Sequence, residues 1–554
     1  MAGSWKRGKK ATIELCLIAV GVLALSALSK NGLVRSLWRL AIAEGSSPVI
    51  EEARGAARGN TVDAGRIRRH ASGSINPEVS VSAERTGLAS AGLANSPAAT
   101  MVQTADSGGA SRKEVHNKLA RLRATIRKEI ITLRRTIEDL GRTFPKRYRP
   151  AKFLRRLDER EKSVAEADCR AELRNLRERV AKLTRRALVA NPMVSNHRIM
   201  YVARAQYASD HHNTATMFVP GEINAQKYDP PGKLMTLEFL GGEQGKRVKT
   251  LYDPGAQGLA RDPEVHWAGE KIVFALRRGQ QDNYHIYEID TDGAGLTELT
   301  AAEQACDIDP TYLPDEGIVF SSTREIKYCG CNRHIMGNLY RMDGDGANIR
   351  QLSENILHDG HPTVMPDGRI LYDRWEYTDR NFGDAQGLWT IRPDGSNCSI
   401  YWGNNTPSPG GVVDARAIPG TQRVVCIFSS CHDRPWGAMV VLDRRGGIDA
   451  GPNRRGAVVR IWPRQARKRV GRGNWDAFKP VNPKYEDPYP LTDPSVLGEE
   501  GKYFLVSRML PGRGRMGIYL VDVFGHEILL HAEDTLSCFD PMPIRSRPRP
   551  HDLP

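Results

Sequence analysis

The chain has 554 residues, of which 40% are hydrophobic and 26% charged, which excludes both a disordered and a polytopic membrane protein and is too long for one ordinary domain. Its net charge is +15, but 25 Lys and Arg against 11 Asp and Glu lie between residues 112 and 186, so the rest is close to neutral. A basic segment on a neutral body argues against nucleic acid as the partner of the whole, and nine cysteines are too few for a disulfide scaffold.

Lys6, Arg7, Lys9 and Lys10 precede an apolar run from Ile13 to Leu28 in which Glu14 is the only charge. This pattern of a basic flank and an apolar core predicts export. Residues 1–43 read as a signal peptide or a membrane anchor, and the run is long for the first and short for the second. Either places the body in the periplasm or at the cell surface, tethered to the inner membrane by residues 13–28 if the segment is retained. Cysteines there can pair. Residues 44–110 are rich in Ala, Gly, Ser and Thr and contain no Phe, Trp or Tyr. They read as a disordered linker, because they cannot bury enough surface to offset chain entropy.

Residues 111–190 carry apolar positions at helical spacing: Leu119, Leu122, Ile126, Leu133, Ile137 and Leu140, then Leu173, Leu176, Val180, Leu183 and Ala187. Pro150 breaks the pattern between them. The spacing predicts basic coiled-coil helices, as a hairpin or as one side of an oligomer. The Arg-rich outer face reads as a solvated surface laced with Glu–Arg pairs, or as a surface for an anionic polymer.

From residue 191 the chain repeats. Related stretches begin at Asp262, Asp309, His361 and Asp493, each at an Asp-Pro or His-Pro step. In each, a turn, a β-branched strand and a second, aromatic strand follow. Asp292-Gly293, Asp345-Gly346 and Asp394-Gly395 close hairpins 53 and 49 residues apart, near one four-stranded propeller blade. Degenerate copies at Arg198–Tyr252 and Asp414–Gly447 bring the expected number to six. The fold class is therefore mainly β: a six-bladed β-propeller over 191–535, with an insertion at 448–490 and a C-terminal tail at 536–554. The Asp/His-Pro steps read as a structural device of the repeat.

The repeat resembles the TolB-type six-bladed propeller. The stretches 187–204, 321–334, 365–380, 418–438, 484–493 and 517–550 look like the middle domain of the hydrazine synthase alpha subunit family, in the same order. The resemblance implies the fold over roughly 187–550. In that family the chemistry depends on c-type haem held by C-x-x-C-H, which this sequence lacks; its closest approach is Cys426-x4-Cys431-His432.

Three groups of soft ligands stand out. Cys329, Cys331 and His334 are close in sequence, His211 and His212 are adjacent, and Cys431 precedes His432. Each lies in an excursion between strands of a blade, so the three could converge at one end of the channel and hold Zn, Cu or haem. The alternatives are disulfides joining Cys329 or Cys331 to Cys306, Cys398, Cys426 or Cys431, and ordinary solvated histidines. No nucleophile elbow, P-loop, dinucleotide fingerprint or H-E-x-x-H occurs. The leading expectation is a binding or scaffold module with a protein partner, self-associating through the helices. The alternative is a metal- or haem-dependent redox enzyme or subunit.

Overall fold

The computed structural model describes residues 112–240, 245–330, 333–376, 386–403, 405–451, 456–493, 495–496, 501–512 and 514–553. The export segment, the linker and Cys331 lie outside the described residues. Among those described, no helix is long and apolar enough to cross a membrane.

The chain enters through α1 (Arg112–Thr143), α2 (Pro150–Glu166) and α3 (Arg170–Val189), followed by the single turn α4 (Pro192–Ser195). Pro150 sits in the first turn of α2, where its missing N–H costs no helical bond. The apolar stripe closes within the chain: Ile126, Ile130, Leu133, Ile137 and Leu140 are all fully buried, and they share one core with α2, α3 and the adjoining blades. The outer face carries ion pairs between helices rather than within one, Arg134 of α1 with Asp158 and Glu161 of α2 and Arg177 of α3 with Glu129 of α1, each at 2.8 Å.

Among the described residues, twenty-four strands follow in six blades. Blade 1 contains β1 (Arg198–Arg204), β2 (Gly232–Phe239) and β3 (Lys246–Tyr252). Blade 2 contains β4 (Leu259–Val265), β5 (Lys271–Arg277), β6 (His285–Asp290) and β7 (Thr297–Glu298). Blade 3 contains β8 (Asp307–Tyr312), β9 (Ile318–Ser322), β10 (Asn338–Met342) and β11 (Arg350–Gln351). Blade 4 contains β12 (His358–Val364), β13 (Ile370–Trp375), β14 (Gln386–Ile391) and β15 (Ser399–Trp402). Blade 5 contains β16 (Gly411–Ala417), β17 (Arg423–Ser429), β18 (Gly437–Asp443) and β19 (Val458–Trp462). Blade 6 contains β20 (Tyr485–Leu491), β21 (Tyr503–Met509), β22 (Met516–Asp522) and β23 (Glu527–His531). The last strand, β24 (Ser537–Ile544), returns to pair antiparallel with β1 and becomes the innermost strand of blade 1. Single bridges, Gly232 to Leu259 and Gly437 to Tyr485, link blade 1 to blade 2 and blade 5 to blade 6.

Three expectations need correction. The stretch 448–490 is no insertion, because it supplies β19, the outer strand of blade 5, and most of β20, the inner strand of blade 6. The segment 536–554 is no mere tail, because β24 closes the ring. Asp493 does not begin the last repeat. That place belongs to Asp487, while Asp493 pairs with Arg147 at 2.8 Å beside the helices.

The helices dock on blade 6. Arg185 of α3 bonds the carbonyls of Leu529 and Leu530 on the outer strand, so its guanidinium covers an edge that would otherwise be open to pairing. Asp139 of α1, 3% exposed, accepts hydrogen bonds from Lys502 Nζ at 2.7 Å and Tyr503 Oη at 3.0 Å.

Candidate functional site

Every innermost strand carries the same irregularity. The residue there is Asp262, Asp309, His361, Asp414, Asp487 or Asp540, and its φ lies between +46° and +54°. The ladder register shifts around each one. Asp and His tolerate this left-handed conformation better than most side chains. In all but blade 5 the next residue is proline, whose missing N–H suits a bulge where the ladder is interrupted. The six side chains line one ring inside the channel. The N–H of Asp309 reaches Asp262 Oδ2 at 3.3 Å, that of His361 reaches Asp309 Oδ2 at 3.3 Å, and that of Asp540 reaches Asp487 Oδ2 at 3.0 Å. The repeat device thus ties blade 3 to blade 2, blade 4 to blade 3 and blade 1 to blade 6.

So many carboxyls in one dry ring cannot all ionise. Burial and then Asp262 push Asp309 up to about 7. Burial pushes Asp414 up to about 7 as well, with His361 opposing it. Burial raises Asp540 well above the usual range, and Asp487 and Asp262 add to the shift. Two members remain charged. Burial opposes ionisation of Asp262, but Arg261 beside it holds it below the ordinary value. Burial also opposes the charge on His361, but Asp373, Asp309 and Asp414 raise it well above 6.5.

At one end the channel is closed by the long loop between β1 and β2. Arg261 Nη1 donates to Thr216 O at 2.9 Å, and Tyr207 lies under the guanidinium of Arg204 at 3.8 Å. The loop then crosses to the far side of the ring. Asn213 N donates to Cys431 O at 2.9 Å in blade 5, and its Nδ2 donates to Gln386 Oε1 at 2.9 Å in blade 4. Gln386 Nε2 continues to Asp373 at 3.0 Å, Asp373 to His361 at 2.6 Å, and His361 to Asp414 at 3.3 Å. One polar chain therefore joins the closing loop to the ring.

The loops expected to converge do so on this face. The rings of His211 and His432 lie 4.8 Å apart, and those of His212 and His334 6.0 Å apart. His212 stacks on Trp375 at 3.5 Å. Its Nδ1 meets Thr214 Oγ1 at 2.8 Å, and its buried Nε2 has no hydrogen-bond partner among the described residues. Burial keeps His212 well below 6.5, takes His334 down to about 4 and the nearby His358 to about 3, and lowers His211. His432 donates or accepts at Asp476 Oδ2, 3.0 Å away. Cys329 is buried against Met336, Leu357 and Trp375, and its N–H bonds His334 O. Among the described residues, no group of three or more His, Cys, Asp or Glu has the geometry of a metal site. Cys306, Cys398 and Cys426 carry free thiols, which removes three of the expected disulfide partners. Burial pushes the Cys306 thiol up to about 12 and Cys426 well above its usual value, so both are poor nucleophiles.

The sequence singles out Trp375, within the stretch 365–380, as a residue that could bind a ligand or pack between blades, and it misses Asn213, Gln386 and His358. Those three belong to no motif, and their roles arise from a loop crossing the ring. It also missed Asp487 and Asp540 as ring members, although their Asp-Pro steps were legible.

The fold and the ring define a six-bladed β-propeller. Neither a family model nor a curated protein matches the chain. Among solved structures, it resembles Kuenenia stuttgartiensis hydrazine synthase with 19% identity and a TM-score of 0.48, over 64% of this chain and 48% of that one. It thus spans about half the length of that chain. It also resembles TolB from Acinetobacter baumannii, with 14% identity and a TM-score of 0.34 over 66% of this chain and 72% of that one. A putative TolB from Agrobacterium tumefaciens matches with 16% identity and a TM-score of 0.28, over 45% of this chain and 86% of that one. These likenesses concern the fold alone.

Proposed function

We propose that the protein is an exported binding propeller, a module of a periplasmic or cell-surface assembly that takes a protein partner on its closed face. One observation carries this reading. Ile326 and Tyr328, on the loop between β9 and β10, are 61% and 39% exposed, and Ile223 and Ile356 beside them are 55% and 62% exposed. Tyr328 Oη bonds Glu222 at 2.8 Å, next to Ile223, and Lys327 bonds Asn355 O, next to Ile356. The four side chains therefore form one neighbourhood spanning three loops. Clustered exposed apolar residues rimmed by polar ones are the mark of a docking surface. The proposal extends to membership of the hydrazine synthase alpha subunit middle-domain family, which rests on the six ordered sequence stretches.

A photo-crosslinking residue at position 326, in protein expressed in its own compartment, tests the reading. A discrete adduct is expected there, absent from the same probe at exposed Val248 on an outer strand. The adduct should be lost in the Ile223→Glu/Ile356→Glu variant. No adduct at 326, or the same adducts at 248, rejects it.

A second reading has its own support. Loops of three blades bring imidazoles together on this face in two pairs, His211 with His432 at 4.8 Å and His212 with His334 at 6.0 Å, as a metal- or haem-dependent site would require. His211, His212, His334 and His432, with Cys329 and Cys331, would hold the group. Metal analysis and a visible spectrum on wild type and on Cys329→Ser/Cys331→Ser decide it. Stoichiometric metal or haem lost in the variant supports it, and colourless, metal-free wild type removes it.

A further inference from the structure

The opposite mouth of the channel holds a cavity that adjoins the ring, with Glu264, Thr311, Thr363, Arg416 and Tyr489 lining both. After β24 the chain runs in extended form across this end. Arg545 bonds Thr492 O, Arg547 N bonds Trp267 O at 2.9 Å, Arg549 pairs with Glu316 at 2.6 Å, and His551 N reaches Pro366 O at 3.4 Å. The segment thus bridges blades 6, 2, 3 and 4. Beneath it lies a cavity of about 360 Å³, within the size range of small-molecule sites. Its walls are largely apolar, from Val364, Ala417, Pro419, Pro490 and Val496.

The charge in this cavity is unbalanced. Glu264, 3% exposed, receives Arg416 Nη1 at 2.8 Å on one oxygen and Arg547 Nη2 on the other. Burial opposes ionisation of Glu264, but Arg416 and Arg547 hold it below its usual value, so it is charged. One carboxylate therefore serves two guanidiniums. Asp493 and Arg549 at the rim do not correct the excess, because each is paired elsewhere, with Arg147 and Glu316. Arg547 stacks on Trp267 at 3.9 Å, which fixes its plane, and its Nε has no hydrogen-bond partner among the described residues. A fixed guanidinium with an unused donor beside apolar walls suits an anion that brings its own apolar body.

We propose that this cavity binds a small organic carboxylate, with the carboxylate between Arg416 and Arg547 and an aromatic or aliphatic body against the proline wall. Inorganic phosphate would leave the apolar walls of Val364, Ala417, Pro419, Pro490 and Val496 without a partner. The C-terminal segment supplies one of the two arginines, so it is a part of the site as well as its roof.

The test is titration of the full chain with phenylacetate, phenylacetamide and phenethylamine, followed by calorimetry and ligand-observed NMR. Phenylacetate is expected to bind at least tenfold tighter than the amide, and the amine not at all. Arg547→Gln and Arg416→Gln should each weaken phenylacetate at least tenfold. Ala417→Phe, which fills the cavity and leaves both arginines, should abolish binding. Thermal melts report whether each variant is folded, and the comparison of three ligands on wild type stands whatever the variants do. Equal binding of acid and amide, no binding of the acid to wild type, or binding that survives Ala417→Phe overturns the proposal.

Discussion

The imidazole of His212, from blade 1, lies flat on the indole of Trp375, in blade 4, with ring centroids 3.5 Å apart and planes 9° from parallel. This pair pins the loop that closes the channel to the far side of the propeller. Trp375 is also fully buried at the end of β13 and packs against Cys329 and Met336.

Trp375→Ala should therefore do two things. Emptying a buried indole site costs about 3–5 kcal/mol, which lowers the melting temperature. Amides of residues 208–217 should exchange faster than in wild type, while those of α1 should not change. Hydrogen exchange with mass spectrometry reads both regions at once. Unchanged protection at 208–217 would show that the bonds of Asn213 and Arg261 hold the loop without the stack.

The ring predicts a pH dependence with a defined sign. Asp309 and Asp414 sit at about 7 in the fold, against about 4 for an unfolded carboxyl. The folded chain keeps protons that the unfolded chain has lost, so stability falls as pH rises from roughly 4 to 7 and beyond. His361 is raised above 6.5, so its contribution is complete below that pH and is lost as pH rises through its folded value. His212, His334 and His358 act in the opposite sense, because they are neutral in the fold and lose stability as pH falls below 6.5. Above pH 6.5 the ring carboxyls and His361 lose protons, together with Glu486, which burial holds well above its usual range. The melting temperature should fall between pH 6.5 and 8.5, and Asp309→Asn/Asp414→Asn should reduce that fall by roughly 1–3 °C. An equal fall in the variant would place the titration elsewhere.

The propeller was legible because its repeats are local. Asp-Gly turns near Gly293, Gly346 and Gly395 and strands such as Ile370–Trp375 can be read within one blade. Each of those glycines has φ near +90°, as the turns require. The ring closure was not legible, because β24 pairs with a strand more than 300 residues away. Asp493 was mistaken for Asp487 because both precede proline, and only the register of β20 against β21 separates them. The histidine groups are visible as sequence clusters and Trp375 within the stretch 365–380, whereas Asn213 and Gln386 are isolated residues that matter through a loop that crosses the ring.

Asp139 tests how the helices are held. Its carboxylate is the acceptor for both Lys502 and Tyr503, and the Tyr503 hydroxyl is buried. Asp139→Ala leaves that hydroxyl without its acceptor, at a cost of about 1–3 kcal/mol. Limited proteolysis within residues 112–190 should accelerate, while the propeller core resists. Asp139→Asn, which keeps an acceptor oxygen, should fall between the two.

The ring residue Asp540 separates backbone conformation from charge. Its φ is +52°, and its Oδ2 has no hydrogen-bond partner among the described residues. Burial, with Asp487 and Asp262 nearby, holds its carboxyl well above the usual range, so it is neutral at pH 7. Replacing it with asparagine removes no charge and keeps a side chain that tolerates the left-handed region. Glycine relieves the conformation altogether. Both variants should melt within about 1 kcal/mol of wild type. Asp540→Val places a β-branched residue where it is most strained and should lose a further ~1–3 kcal/mol. The comparison is made by thermal or urea denaturation at pH 7. Because valine and asparagine are both uncharged, a gap between them isolates the cost of φ at the bulge. Equal stability for the two would mean that the Asp-Pro steps are retained for their carboxyls, and that the ring is a chemical feature of the channel before it is a structural one.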